Sequence, residues 1–281
     1  LPELLKGKVW HERKDAKTRT GEPVVTYPVL AEPKYDEIRC HVLVGATYVE
    51  FLSYSGKPLA NMEGFAHIFS VLSTQTGYHE FDCGFEVNSN FNDSYRWVRS
   101  TTNFPPDLIG VPTKFILFDL PENTEQYKTR KAKIIAVAEL GGLSYAPGSI
   151  CNNEAEVDAA FCSAREAGLE GLMIKSSTGT YQRGKRTDAW LKYKPEDDAD
   201  GTITEVYEAI SIEGVPLGRA GSVQLVMDDG SEAAPHGIAH ALGVDIWENP
   251  AKYIGQRCEF FFMERDRKGG YRHPTFHRIR E

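Results

Sequence analysis

Hydrophobic and polar positions change rhythm several times along the chain. Near the start, "VTYPVLAEP", "IRCHVLVG" and "TYVEFLSYS" are rich in β-branched and aromatic residues and punctuated by Gly and Ser. They predict a strand, then a β-hairpin closed at "GA". "NMEGFAHIFSVLS" places apolar residues at 62, 65, 68, 69 and 72, a helical spacing. "YHEFDCGFEV" and "KFILFDL" predict strands, the second buried and ended by Pro121. "NTEQYKTRKAKIIAVAEL" predicts a helix stopped at Gly141-Gly142, and "NNEAEVDAAFCSAREAG" a helix between an Asn cap and Gly168. "EGLMIKS" and "AWLKYK" predict strands. The polar "PEDDADG" reads as a linker. Beyond it, "TITEVYEAI", "GSVQLVMDDG" and "GQRCEFFFMER" predict strands, with a short helix near 237–243. About 80 residues of short strands with Gly turns suggest a small barrel. A domain boundary is therefore expected near Asp200, giving domains 1–199 and 200–281.

With 281 residues, two domains fit comfortably, and 41% hydrophobic with 26% charged residues is ordinary for a globular protein. No apolar run approaches a membrane span, and "LPELLKGKVWHERKD" has no signal-peptide core, so neither membrane association nor export is expected. The five cysteines form no C-x-x-C pair, which disfavours a zinc ribbon or a disulfide framework and fits a reducing cytoplasm. His236/His240 and His273/His277 are each four apart without the H-E-x-x-H pattern, so zinc is not expected.

A net charge of −8 argues globally against a nucleic-acid binder. The distribution points the other way. Basic clusters occupy the first twenty residues, 175–194, and Arg265 to Arg280. They fit phosphate-gripping patches on an acidic body.

"WLKYKP" sets Lys192 and Lys194 two apart, on one face of a predicted strand. Burial would depress such lysines and like charges repel, so either the face is exposed or an anion lies between them. The order "EPKYD-x-IR", "SYSGK", "FEV", "FILFD", "EGLMIK", "WLKYKP", "RHPTFHRIR" resembles the ATP-dependent DNA ligases of the nucleotidyltransferase superfamily, most closely the short phage and bacterial type. The resemblance implies an α+β fold: an adenylation domain of antiparallel sheets with flanking helices, then an OB-fold. It implies a reaction in which Lys34 attacks the α-phosphorus of ATP, AMP passes to the 5′-phosphate of a nick, and the 3′-hydroxyl expels it. Lys34 must be neutral when it attacks, and Lys192, Lys194 and Mg²⁺ (or Mn²⁺) would neutralise the phosphates. By the same matching, Glu32 lies at the adenine edge and Phe118 stacks on the base. Arg39 and Glu86 contact ribose or phosphate, Glu170 and Glu86 serve the metal, and Lys175 lies near the nucleotide. Arg272, Arg278 and Arg280 reach the pyrophosphate, with a hinge at Asp200-Gly201. The implied partner is nicked duplex DNA, bound by a monomer in a bacterial or phage-infected cytoplasm. An RNA ligase, an mRNA-capping guanylyltransferase and a weakened nick-binding protein are the alternatives.

Three departures stand out. Glu37 occupies the place of a glycine, which predicts backbone strain if positive φ is needed there. Gly84-Phe85-Glu86 stands where Asp-Gly-Glu is expected, leaving Asp82 as a displaced substitute acid. No Asp-Lys pair follows the C-terminal arginines.

Overall fold

The computed structural model describes residues 3–195, 197–211, 213–262, 264–265, 269–272 and 274–280. Contacts divide the chain into two units, Leu1–Tyr193 and Lys194–Glu281. In the first unit the strands are β1 (Lys6–Val9), β2 (Val29–Lys34), β3 (Ile38–Val44), β4 (Val49–Ser53), β5 (Glu80–Val87), β6 (Thr113–Asp119), β7 (Ser144–Tyr145), β8 (Ser149–Cys151), β9 (Gly171–Ser176) and β10 (Arg186–Tyr193). Its helices are α1 (Trp10–Arg13), α2 (Ala66–Thr76), α3 (Phe91–Arg99), α4 (Tyr127–Gly141) and α5 (Glu154–Glu166).

Two five-stranded sheets result, ordered β1-β10-β9-β2-β8 and β4-β3-β5-β6-β7, mostly antiparallel. The second encloses an aromatic-rich core with Cys40, Val42, Phe81, Cys83, Phe85 and Leu117 fully buried, closed by Phe69 and Leu72 of α2 and Ile134 of α4. The first sheet alternates as a half-buried sheet must. Val29, Ala31, Leu172, Ile174 and Leu191 face a core shared with Val157 of α5 and with Trp10. The intervening positions, Glu32, Lys34, Met173, Lys175, Trp190 and Lys192, line a cavity.

Local chemistry sets the helix ends. The Asn153 side chain accepts from the Glu156 backbone N–H at 2.9 Å, while Glu156 accepts from the Asn152 N–H at 2.8 Å, so α5 starts on a reciprocal cap. Asn90 caps α3 the same way, accepting from the Asp93 N–H at 3.2 Å. The sequence pattern gave no helix here, because α3 is short and its apolar face is broken by Ser94.

Much of the basic N-terminal stretch is engaged within this unit. Lys8 and Arg13 grip Asp188 at 2.8 and 2.6 Å, and Lys14 reaches Glu154 at 2.5 Å.

In the second unit the strands are β11 (Asp197–Ile210), β12 (Pro216–Val226), β13 (Glu232–Ala233), β14 (Arg257–Phe262), β15 (Glu264–Arg265), β16 (Tyr271–Arg272) and β17 (Thr275–Ile279). The short helices are α6 (His240–Glu248) and α7 (Pro250–Tyr253). The main sheet runs β13-β12-β11-β14-β17, over a core of Ile203, Val223, Leu225, Ile246, Cys258 and Phe260. Single bridges from His236 to Ser222 of β12 and to Thr275 of β17 join the two flanks.

The linker and hinge readings of "PEDDADG" are corrected here. Asp197–Gly201 opens β11, with Asp200 opposite Glu259 and Gly201 opposite Cys258. The cause is a concealed alternation. Ala199 and Ile203 turn to the core, and a Cβ on Gly201, between them, would lie 2.8 Å from Met227 Sδ and 2.9 Å from Leu225 Cβ. Asp200 is held by Arg280, at 2.9 Å from its Nε. Glu196, Asp266, Arg267, Lys268 and His273 lie outside the described residues. Among the described residues no helix is long and apolar enough to cross a membrane, and all five cysteines are free thiols, only Cys162 being exposed.

Candidate active site

A cavity of about 290 Å³ opens on the polar face of the first sheet. Strand register puts its chemistry together. Lys34, at the end of β2, pairs with Gly171 of β9, so Glu170, one residue earlier, ion-pairs with the Lys34 amine. Lys34 also lies 3.4 Å from the Tyr35 carbonyl. Lys192 pairs with Met173, which pairs with Glu32, so these side chains share one row. Lys6 and Arg186 add further positive charge on the wall.

The cavity floor is a buried polar network. Glu32 and Lys175 are each about 1% exposed. Glu32 lies 2.8 Å from Lys175 Nζ and 2.5 Å from Lys131 Nζ, and it accepts from the Tyr127 hydroxyl. Burial alone would raise the Glu32 carboxyl, but the two lysines outweigh it and hold it below the usual carboxylate range. Burial pulls the Lys175 ammonium down, against the pull of Glu32 and Asp119. Lys175 also donates to Tyr127 Oη at 2.9 Å and lies 4.1 Å from the centre of the Trp190 ring. The α4 residues Tyr127 and Lys131 were not legible as site residues, because nothing local in "YKTRK" separates a buried lysine from a solvated one. Nearby, Arg130 clamps Asp119 at 2.8 and 2.9 Å, which ties α4 to the end of β6.

The aromatic wall is Phe118, stacked with Tyr35 at 6.5 Å between ring centroids, with Trp190 beyond. Arg39 sits between them, 5.9 Å from the Phe118 centroid and 5.1 Å from that of Trp190. Its guanidinium takes both oxygens of Asp82 at 2.5 Å and donates to the Leu5 carbonyl at 3.2 Å. Tyr181 also donates to Asp82, at 2.7 Å. Asp82 is fully buried in this clamp and does not line the cavity.

Glu86 sits in β5 with its carboxylate 2.7 Å from Lys114 Nζ and outside the lining of the cavity. Lys194 follows the last residue of β10. In the second unit, Arg278 lies 2.5 Å from Glu259, and Arg280 joins Glu259 at 3.1 Å as well as Asp200. Arg272 stands opposite Glu264 in the backbone ladder of β15 and β16. Among the described residues no three His, Cys, Asp or Glu side chains converge as a metal cage.

Glu37 is the unexpected wall residue. It lies in the turn before β3 and lines the cavity. Among the described residues, the non-glycine positions with positive φ are Asn61, Asn88 and Ser89, so the strain expected at Glu37 is absent. The chain turns there without left-handed backbone. Burial pushes the Glu37 carboxyl up, Lys34 and Arg39 pull it back, Glu170 adds to the rise, and the net value is about 7.

The comparisons with known proteins agree with this geometry. Residues 99–194 match the family model "ATP dependent DNA ligase domain". A DNA ligase of Enterobacteria phage T3 is 33% identical over 124 residues, 41% of this chain and 34% of the relative. The matched segment thus spans about a third of that relative's length. Among solved structures, one described as a structure-function analysis of DNA binding by minimal Lig E DNA ligases superposes with a TM-score of 0.71 at 16% identity, covering 100% of both chains. The ATP complex of the bacteriophage T7 DNA ligase gives 0.54 at 19% identity, covering 99% of this chain and 98% of that one. These matches show an ATP-dependent DNA ligase domain over residues 99–194 and a fold like that of solved DNA ligases.

Proposed function

We propose that this protein seals nicks in duplex DNA with ATP, through an AMP adduct on Lys34. The observation that carries the reading is the position of Lys34: a lysine at the mouth of a nucleotide-sized cavity, with a carboxylate on its amine and further cations beside it. Glu170 and the Tyr35 carbonyl orient the amine. Once its ammonium has given up a proton to solvent, Lys34 attacks the α-phosphorus of ATP, here a substrate, forming the N–P bond as the bond to pyrophosphate breaks and pyrophosphate leaves. Lys192 neutralises charge on the phosphates, because phosphoryl transfer needs positioning and electrostatics more than covalent machinery. Phe118 stacks on the adenine. The Glu32–Lys175–Lys131 network keeps the floor rigid, and Arg39 is preorganised by Asp82.

Mg²⁺ is commonly held by one or two carboxylates together with substrate phosphates, so a site lacking a three-carboxylate cage fits it. Glu170 is the residue that would hold it, and the ion would supply further charge neutralisation. Glu86 is proposed to act on the nucleotide or metal only if it leaves Lys114.

The first unit is proposed as the adenylation domain and the second as an OB-fold. The His236 bridges between β12 and β17 support the latter. Arg272, Arg278 and Arg280 are proposed as pyrophosphate ligands, which requires Arg278 and Arg280 to exchange their carboxylate partners for phosphate. Lys194 is proposed to act with Lys192. The phage T3 match supports a bacterial or phage-infected cytoplasm as the setting, and a monomer acting on nicked DNA is the simplest species.

Incubation with α-labelled ATP and Mg²⁺, followed by denaturing electrophoresis, tests this. Label should stay on wild-type protein and vanish from Lys34→Ala. Unlabelled wild-type protein, shown not to be already adenylated, would overturn the catalytic reading. Labelling by GTP rather than ATP would move it to a capping-type enzyme.

A further inference from the structure

Two of the sequence departures meet in space. Position 37 carries a carboxylate where glycine was expected, and position 84 carries glycine where an acid was expected. Gly84 lies in β5 opposite Arg39 of β3. A Cβ placed on it would collide with Glu37 Cγ and lie 2.7 Å from Phe118 Cζ. The space a side chain at 84 would fill is thus occupied by Glu37 and by the base-stacking ring.

The cavity wall gives the carboxylate a task. Glu32 is consumed by Lys131 and Lys175, and it lies on the floor. Glu170 is paired with Lys34 and is taken up by the amine and the proposed metal. Glu37 makes no ion pair among the described residues. It nonetheless lies in the field of Lys34, and its side chain rests against the same point as Phe118. Lys34 takes the α-phosphate and Phe118 takes the base. The part of a nucleotide between base and α-phosphate is the ribose. A carboxylate repels phosphates, and it accepts hydrogen bonds from hydroxyls.

We propose that Glu37 and Gly84 are one exchanged pair. Glu37 reaches from the turn before β3 into the space left by Gly84 and accepts a hydrogen bond from a ribose hydroxyl of the bound nucleotide. Glu37 is thereby a specificity-determining residue of this site. The inference rests on the nucleotide reading of the cavity.

The test compares ATP, 2′-deoxy-ATP and 3′-deoxy-ATP, by titration calorimetry and by the rate of Lys34 labelling. The proteins are wild type, Glu37→Gln, Gly84→Asp and the double variant Glu37→Gly/Gly84→Asp. A hydrogen bond to a charged acceptor predicts that wild type prefers ATP over one deoxy analogue by about tenfold or more. Glu37→Gln, which keeps the volume and removes the charge, should cut that preference to about twofold or less. Gly84→Asp alone should bind nucleotide poorly, since it sets a side chain on Glu37 and Phe118. The double variant should bind better than Gly84→Asp and regain part of the preference. An unchanged preference in Glu37→Gln, or none in wild type, would overturn the proposal. So would a double variant no better than Gly84→Asp. Calorimetry separates this from the catalytic reading: sugar-selective binding without labelling would leave the pair intact and sink the ligase mechanism.

Discussion

Replacing Glu37 by Gln should change how stability depends on pH. Glu37 titrates near 7 in the folded protein, against an ordinary value of 4.5. Because the folded-state value is raised, the native state holds a proton that the unfolded chain releases across this window. Stability therefore falls as pH rises from about 4.5 to about 7. The full shift corresponds to a ceiling of about 3 kcal/mol. The side chain retains contact with solvent in an open cavity, which screens the penalty and leaves about 1–2 kcal/mol. Gln cannot ionise, so the variant should gain that amount relative to wild type between pH 5 and pH 8. Urea unfolding at several pH values, read by tryptophan fluorescence, measures this. Trp10, Trp97 and Trp190 lie in the first unit and Trp247 in the second. Pairing the assay with Trp247→Phe confines the signal to the unit carrying Glu37. A stability difference that is flat with pH, or that grows toward acid, would refute the buried-carboxylate reasoning.

Other expectations follow from the same geometry. Glu32→Ala strands two buried lysines and should cost about 3–5 kcal/mol in urea unfolding. Gly84→Ala should cost about 1–3 kcal/mol, because Glu37 and Phe118 must both move. Arg280→Ala removes half-exposed ion pairs with Asp200 and Glu259 and should cost less than about 1 kcal/mol. A pyrophosphate-release assay should show a larger effect if Arg280 serves the nucleotide. Nick binding, followed by gel shift, should weaken at least tenfold between about 50 and 200 mM salt, since basic clusters are expected to grip the DNA phosphates.

Much of the fold was written in local patterns. The α5 helix was bounded by an Asn cap and Gly168, the β3–β4 hairpin by its β-branched and aromatic residues closed at "GA", and β9 by "EGLMIKS". These signals lie within a few residues of one another. What stayed hidden depended on distant partners. Lys131 is buried because Glu32, in another element, faces it. Asp197–Gly201 reads as a linker until Arg280 and the Met227 side chain supply its neighbours. Lys34 could be singled out only from the ordered set of motifs that follows "EPKYD", and its pairing with Glu170 required the β2–β9 register. Glu37 drew notice as an anomaly. Only the space above Gly84 explains how the chain accommodates it.

The most direct test of the proposed activity is a single-turnover one. Protein adenylated on Lys34 and freed of ATP is mixed with a nicked duplex carrying a 5′-phosphate. One phosphodiester bond and one released AMP are expected per adenylated molecule, with none from Lys34→Ala or from a nick lacking the phosphate. Loss of the AMP by hydrolysis without joining, or joining that requires no adenylated protein, would contradict the proposed reaction.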